Sequence, residues 1–454
     1  MYLDAILEKF ATKSPVSVMV RATLENALAP SALDALFNTH ADMQYERDLM
    51  FSSVVDLMGM VVTKVQPSLN AAYQAVADTL PVSVTSVYNK LNGLEPQVTA
   101  ALVEHTAQQL SPVIQATGGA FEPWLPGYRV RILDGNHLAA TERRLDVLRD
   151  CKAGPLPGQS LVVLEPEVML ATDMIPCEDG HAQERSLTDA IVRLVQANDC
   201  WVADRNFCTM PLLRGIAERD GGFVIRHHAN LPVLSAGTLR QRGRTETGQV
   251  FEQAIVVGPA KGPTLRLRRI VVRLEKPTRD NDEEIAILTN LPTQDASAVA
   301  VAELYRKRWT LETLFFELTQ MLHGELATMG YPRAALFGFA MALVSYTILS
   351  VVKASLRAAF GHEKIETDVS GYYIANEVRA TQKGMEIVIE QQAWAPFQSM
   401  TPKNLARELV RLAGNVRLAA FKRHPRGPKK PQARRTKYAD KPHVSTARLL
   451  TRIS

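Results

Sequence analysis

The 454-residue chain has only four cysteines, Cys151, Cys177, Cys200 and Cys208, and they form neither a C-x-x-C pair nor a zinc-type group with histidine. That excludes a disulfide framework and suits free thiols in a reducing cytosol. The first residues, "MYLDAILEKFATKS", are amphipathic and carry acids early, so they do not look like a signal peptide. A cytoplasmic location is therefore expected. No internal repeat is visible. Only one stretch, "AALFGFAMALVSYTILSVV" from Ala334 to Val352, lacks charge for long enough to span a bilayer. It is rich in Ala, Gly, Ser and Thr and directly follows a charged helix, and there is no second spanning candidate. A buried core helix is expected, and no membrane partner.

What is present is a chain long enough, with 46% apolar residues, for two or three domains. Its formal charge is only +5, but Thr401 to Ser454 carries +13 and the remaining 400 residues −8. The centre of that basic end, "FKRHPRGPKKPQARRTK" from Phe421, contains three prolines and a glycine and is expected to be extended or disordered. It is either a solvated tail or a contact for a polyanion such as DNA or RNA. Residues 1 to about 110 read as helical. Within them "SLNAAYQAVADTLPVSVTSVYNKLNGL" resembles two short helices joined at Leu80-Pro81, with Ser83 or Thr85 able to cap the second. The spacing suits a helix-turn-helix or a generic helical hairpin.

From Tyr128 the pattern changes to alternating strands and helices. "YRVRILDG", "LVVLEPEVML" and "TDMIPC" read as strands, "LTDAIVRLVQAN" as a helix, "CWVAD" as a short buried strand, "PLLRGIAERD" as a helix and "GGFVIRHH" as a strand. Between Ala229 and Pro292 the chain is polar and β-prone, which suits a strand-rich insertion. Asp134 ends the first strand and Asp204 the fourth. Taken alone, each reads equally as a turn or cap residue.

The segment "YRKRWTLETLFFELTQML", residues 305 to 322, reads as a helix that puts Tyr305, Arg308 and Glu312 within roughly 60° of one another. Leu311, Leu314, Phe315, Leu318 and Leu322 form a neighbouring apolar arc, and the stem of Lys307 must reach out past it. The plain alternative is a solvated Arg308–Glu312 pair on an ordinary amphipathic helix. Taken together, Asp134, Asp204 and Glu312 suit a two-metal site. Hard cations such as Mg²⁺ take oxygen ligands, and two of them about 4 Å apart serve both oxygens of an in-line phosphoryl displacement. Arg308 and Tyr305 then suit a phosphate.

"LDGNHL", "WVADRNF" and "YRKRWTLETLFFELTQML" resemble, in order, the three catalytic blocks of DDE transposases of the insertion-sequence-four family, over about residues 128 to 345. The resemblance implies an α/β fold: a ribonuclease-H-like core with a β-rich insertion, preceded by an all-helical N-terminal domain and followed by helices and a basic tail. Its divisions are 1–110 (end binding), 111–228 and 293–361 (core), 229–292 (insertion) and 362–454 (helices and tail). It also implies Asp134, Asp204 and Glu312 as ligands of two Mg²⁺ ions, with Mn²⁺ as substitute. Tyr305, Arg308 and, more weakly, Arg226 would bind DNA phosphate. Thr319 stands where the family signature has lysine, so Arg226, Arg143 or Arg144 is expected to help Arg308 neutralise phosphate. The expected function is a transposase acting on double-stranded DNA, both element ends and target, as a homodimer in the DNA complex. The alternatives are a ribonuclease-H-like nuclease and a catalytically dead DNA-binding regulator.

Overall fold

The computed structural model describes residues 5–278, 281–424 and 442–452. Seven helices come first: α1 (Ala5–Lys13), α2 (Pro15–Ala27), α3 (Pro30–His40), α4 (Phe51–Val62), α5 (Leu69–Val76), α6 (Val84–Gly93) and α7 (Pro96–Thr117). Helices α5 and α6, separated by a 3₁₀ turn (Ala77–Thr79) and by Leu80-Pro81, are the two short helices expected there. Of the two expected caps, Ser83 is the one used: its hydroxyl accepts the Ser86 N–H at 3.2 Å.

The α/β region follows with β1 (Arg129–His137), a short helix α8 (Asp146–Arg149), β2 (Gly154–Leu156), β3 (Gln159–Glu165) and β4 (Leu170–Cys177). Then come α9 (Thr188–Leu194), β5 (Asp199–Ala203), α10 (Met210–Ala217) and β6 (Gly222–Arg226). "LVVLEPEVML" is not one strand. It turns after Glu165 around Pro166, with Met169 in the left-handed region at φ 56°, and its last residue begins β4. The strand-rich insertion is β7 (Val233–Ala236), β8 (Arg240–Arg244), β9 (Gly248–Val257), β10 (Leu265–Leu274) and β11 (Glu284–Thr289). It extends the core sheet, because β11 pairs antiparallel with β6. The ten-stranded sheet runs β4-β3-β1-β5-β6-β11-β10-β9-β7, with β8 also on β9. Its first five strands, with β1, β5 and β6 mutually parallel and β3 and β4 antiparallel, are consistent with a ribonuclease-H-like core.

Side chains alternate between two cores. Val130 and Ile132 on β1, Val202 on β5 and Val224 on β6 join the larger core with the helical regions, whereas Leu133, Trp201, Ala203 and Ile225 face α9 and α10. The C-terminal half supplies α11 (Ala298–Arg306), α12 (Thr310–Met321), α13 (Pro332–Phe360), α14 (His362–Asp368), α15 (Gly371–Val388), α16 (Ala395–Gln398) and α17 (Pro402–Ala413). Helix α13 contains the charge-free run. It is long and apolar enough to cross a membrane, yet its most apolar window is fully buried, packed against α2, α4, α6, α7 and α17. The hydroxyls of Ser345 and Ser355 are satisfied inside it by the carbonyls of Met341 and Val351, at 2.8 and 2.9 Å. Apolar residues of the N-terminal helices, α13, α15 and α17 thus share one core.

The basic centre expected to be extended lies, after His424, outside the described residues. The chain beyond it returns to the core: β12 (His443–Ser445) pairs parallel with β2, and α18 (Thr446–Leu450) follows. Arg448 binds Asp179 at 2.8 Å.

Candidate active site

Strand register builds the first part of the site. Leu133 on β1 lies opposite Ala203 on β5, and Ala203 opposite Ile225 on β6. The next residues, Asp134, Asp204 and Arg226, therefore lie side by side where the parallel pairing of the three strands ends, with roughly 4.8 Å between neighbouring backbones. Asp134 does not end its strand as expected: β1 runs on to His137, because its other edge stays paired with β3. By alternation they share the face of Ile132, Val202 and Val224, which α11 and α12 cover. Each Asp also serves locally: Asp134 Oδ1 accepts the Gly135 N–H at 3.0 Å and Asp204 Oδ1 the Arg205 N–H at 2.6 Å.

The expected continuous helix from Tyr305 is interrupted. Helix α11 ends at Arg306, a tight 3₁₀ turn covers Lys307–Trp309, and α12 begins at Thr310. The apolar arc is buried as expected at Leu311, Leu314, Leu318 and Leu322, and half-buried at Phe315. Lys307 reaches outward, 4.9 Å from the Trp124 ring centroid. Tyr305 and Arg308 are buried, while the Glu312 side chain stands 52% exposed at the rim.

Arg308 does not form a merely solvated pair with Glu312. Its Nη1 donates to Asp134 Oδ2 at 2.6 Å and its Nη2 to Glu312 Oε1 at 3.0 Å, joining residues 174 positions apart in the chain. Burial works against the charge of Arg308, but the carboxylates of Asp134, Asp204 and Glu312 outweigh it and keep it a cation. Burial pushes the Asp134 carboxyl up to about 6, against the pull of Arg308 and the Gly135 N–H, and Glu184 and Glu312 push with it. Burial, then Asp204, pushes the Tyr305 hydroxyl up to about 12, so it is a neutral donor at physiological pH. Arg226 is likewise held charged against burial, chiefly by Asp282 of the insertion at 2.7 Å and also by Asp204.

The structure adds Glu184, which nothing in the sequence pattern singled out. It sits in a 3₁₀ turn, Glu184–Leu187, and its Oε2 accepts from Asn206 at 3.3 Å. Its Oε1 lies 1.9 Å from where a Cβ on Gly135 would stand, so the carboxylate fills the space that this glycine leaves beside Asp134. Of the residues expected to compensate for Thr319, Arg143 donates to the Ala153 carbonyl at 3.0 Å and Arg144 to Glu142 at 2.8 Å. The Thr319 hydroxyl donates to the Phe316 carbonyl at 2.9 Å. It lines a cavity of about 380 Å³ with Lys64, Glu142, His323 and Glu325.

The carboxylates are ligands of the right kind for a hard cation. As the site stands, however, it does not fit one. The Arg308 guanidinium lies between Asp134 and Glu312, and among the described residues no three His, Cys, Asp or Glu side chains are grouped to hold a metal.

Residues 126–348 match the family model of the transposase DDE domain. Similar proteins include y4zB of Sinorhizobium fredii, named as a transposase, at 26% identity over 161 residues, 35% of this chain and 43% of that protein. A protein of Geobacillus stearothermophilus, named as a transposase for insertion sequence element IS5377, is 24% identical over 218 residues, 47% of this chain and 52% of that protein. The transposase for insertion sequence element IS421 of Escherichia coli is 26% identical over 267 residues, 51% of this chain and 67% of that protein. The chain thus spans about half the length of the first two. The domain match and these relatives support a DDE transposase, without singling out one insertion-sequence family.

Proposed function

We propose that the chain is a transposase of the insertion-sequence-four type that binds the terminal repeats of its own element, hydrolyses a phosphodiester to free a 3′ hydroxyl and joins that hydroxyl to target DNA. The observation that carries this reading is the convergence of Asp134, Asp204 and Arg226 from three adjacent parallel strands with Tyr305, Arg308 and Glu312 from the covering helices. Carboxylates and phosphate donors meet there at one place. Arg308 and Arg226 offer planar forks to phosphate oxygens, and Tyr305 a neutral hydroxyl. The cofactor of this reading would be a pair of Mg²⁺ ions, with Mn²⁺ as substitute, which Asp134, Asp204 and Glu312 would hold only with Arg308 no longer between Asp134 and Glu312. Such ions supply Lewis acidity and an activated water. Residues 1–110 serve end recognition, the basic C-terminal segment adds phosphate contacts, and two copies assemble on DNA.

The test is strand cleavage of duplexes carrying the inverted repeats that flank the gene, in Mg²⁺ or Mn²⁺. Asp134→Ala, Asp204→Ala and Glu312→Ala should each abolish cleavage and leave end binding largely intact. Glu317→Ala should cleave normally, since Glu317 pairs instead with Lys353 at 3.8 Å. Full cleavage by the Glu312 variant, or equal loss in the Glu317 variant, would refute the assignment. Cleavage without strand joining would favour a nuclease.

A further inference from the structure

We infer that Arg308 is a resident counter-cation that closes the catalytic centre in the absence of DNA, and that a DNA phosphate must draw it away before a divalent ion can enter. The inference rests on the function proposed above and goes beyond it, because it makes one side chain the link between two ligands. Its basis is the disagreement between a donor set suited to a metal and an arrangement that has no place for one.

The guanidinium is held from two sides, by Asp134 on β1 and by Glu312 on α12, at 2.6 and 3.0 Å. The Arg308 residue is only 7% exposed. A buried carboxylate left without a cation is costly, so Arg308 can leave only in exchange for another positive charge. A metal arriving alone would have to displace the guanidinium and leave it buried without a partner. A metal arriving with a phosphodiester does not, because the phosphate offers the fork a second bidentate acceptor.

Three features make the exchange feasible. The Arg308 Nε is buried with no hydrogen-bond partner, so the present clasp leaves one donor unused that a phosphate oxygen can take. The outer jaw, Glu312, is half open to solvent. Arg308 also lies in the 3₁₀ turn between α11 and α12, the kind of break within a helix that often marks a hinge. Tyr305, next to both Arg308 and Arg226, adds a neutral phosphate donor. DNA binding and metal binding then cooperate, and by linkage each strengthens the other by the same factor. The site stays shut when no DNA is bound.

The experiment measures Mn²⁺ affinity of the full chain from free Mn²⁺ in electron paramagnetic resonance, so it does not depend on cleavage. Wild-type protein should bind Mn²⁺ weakly alone and about tenfold or more tighter with an element-end duplex. Mn²⁺ should tighten DNA binding by the same factor. Without DNA, Arg308→Ala and Arg308→Gln should bind Mn²⁺ about tenfold or more tighter than wild type, because the competing cation is gone. Asp134→Asn should remove the gain caused by DNA. If Arg308 only positions the carboxylates, its variants will bind Mn²⁺ equally or more weakly, and the inference is overturned. A wild-type Mn²⁺ affinity that DNA does not change overturns it equally, and that comparison needs no variant to fold. Metal-dependent cleavage alongside DNA-independent metal affinity would sink this inference and leave the proposed function standing. DNA-dependent metal binding without cleavage would do the reverse.

Discussion

Asp134 offers a measurement in which burial and ion pairing oppose each other with a known sign. Its carboxyl is raised from 3.8 to about 6, chiefly by burial, even though Arg308 touches it. The folded protein therefore holds a proton on Asp134 that the unfolded chain has released between about pH 4 and 6. Stability linked to this group is fully present below the unfolded value and is lost as pH rises through the folded one. The shift corresponds to about 3 kcal/mol in total, of which about half falls between about pH 5 and 7.5. The side chain is only 18% exposed, so solvent screening takes little from this. Asp134→Asn removes the titration, but at any single pH it also weakens the contact with Arg308, so the absolute difference mixes two effects. The pH dependence separates them. Urea unfolding of both proteins without metal or DNA, from about pH 5 to 7.5, should show wild type losing roughly 1 to 2 kcal/mol relative to Asp134→Asn as pH rises. Parallel pH profiles would show that Arg308 cancels the burial effect. A wild type that gains relative stability with pH would show that the ion pair dominates and would refute the dominance of burial.

Gly135→Ala places a methyl group on the Glu184 carboxylate. Because that carboxylate ends a flexible side chain, stability should change by less than about 1 kcal/mol while cleavage falls as much as in Glu184→Ala. Additive losses in the double variant would disconnect the two residues. The Thr319 hydroxyl is engaged with its own helix, so Thr319→Ala should slow cleavage less than about tenfold, about 1.4 kcal/mol of barrier, and Arg308→Ala much more. Equal losses, or a large gain from Thr319→Lys, would count against this ranking. Replacing Arg426, Lys429, Lys430, Arg434, Arg435 and Lys437 with glutamine, while keeping the β12 anchor, should flatten the salt dependence of DNA binding by about one logarithmic unit for each phosphate no longer neutralised. An unchanged slope would show that this segment does not touch DNA.

What the sequence made legible is what local periodicity controls. The apolar runs before Asp134 and Asp204 mark strands, and because both acids follow their runs directly, parallel pairing was enough to bring them together. The arc from Leu311 to Leu322 was legible for the same reason: a period near 3.6 residues survives even though the 3₁₀ turn at Lys307–Trp309 tightens the preceding helix. The turn itself has no signal, since "KRW" contains neither glycine nor proline. Contacts between distant segments were equally silent. The pairing of β11 with β6 turns the insertion into a continuation of the core sheet, and the pairing of β12 with β2 joins residues nearly three hundred positions apart. Glu184 was hidden in a polar stretch that has no period at all.

The same limit explains why the helix containing Arg308 invited a local reading. An arginine four residues before a glutamate is a common solvated pair, and nothing nearby distinguishes this one. Its distinguishing partner, Asp134, comes from a strand against which α12 packs. Burial changes what the pair means. On a surface, Arg308 and Glu312 would exchange freely with water and ions, at a net worth of a few tenths of a kcal/mol. Under the helix, the same guanidinium becomes the charge that Asp134 requires, and any cation that replaces it must give Arg308 somewhere else to go. On the function proposed above, such a site would need no separate inhibitory segment, because the phosphate of its substrate would be the acceptor for which the arginine leaves.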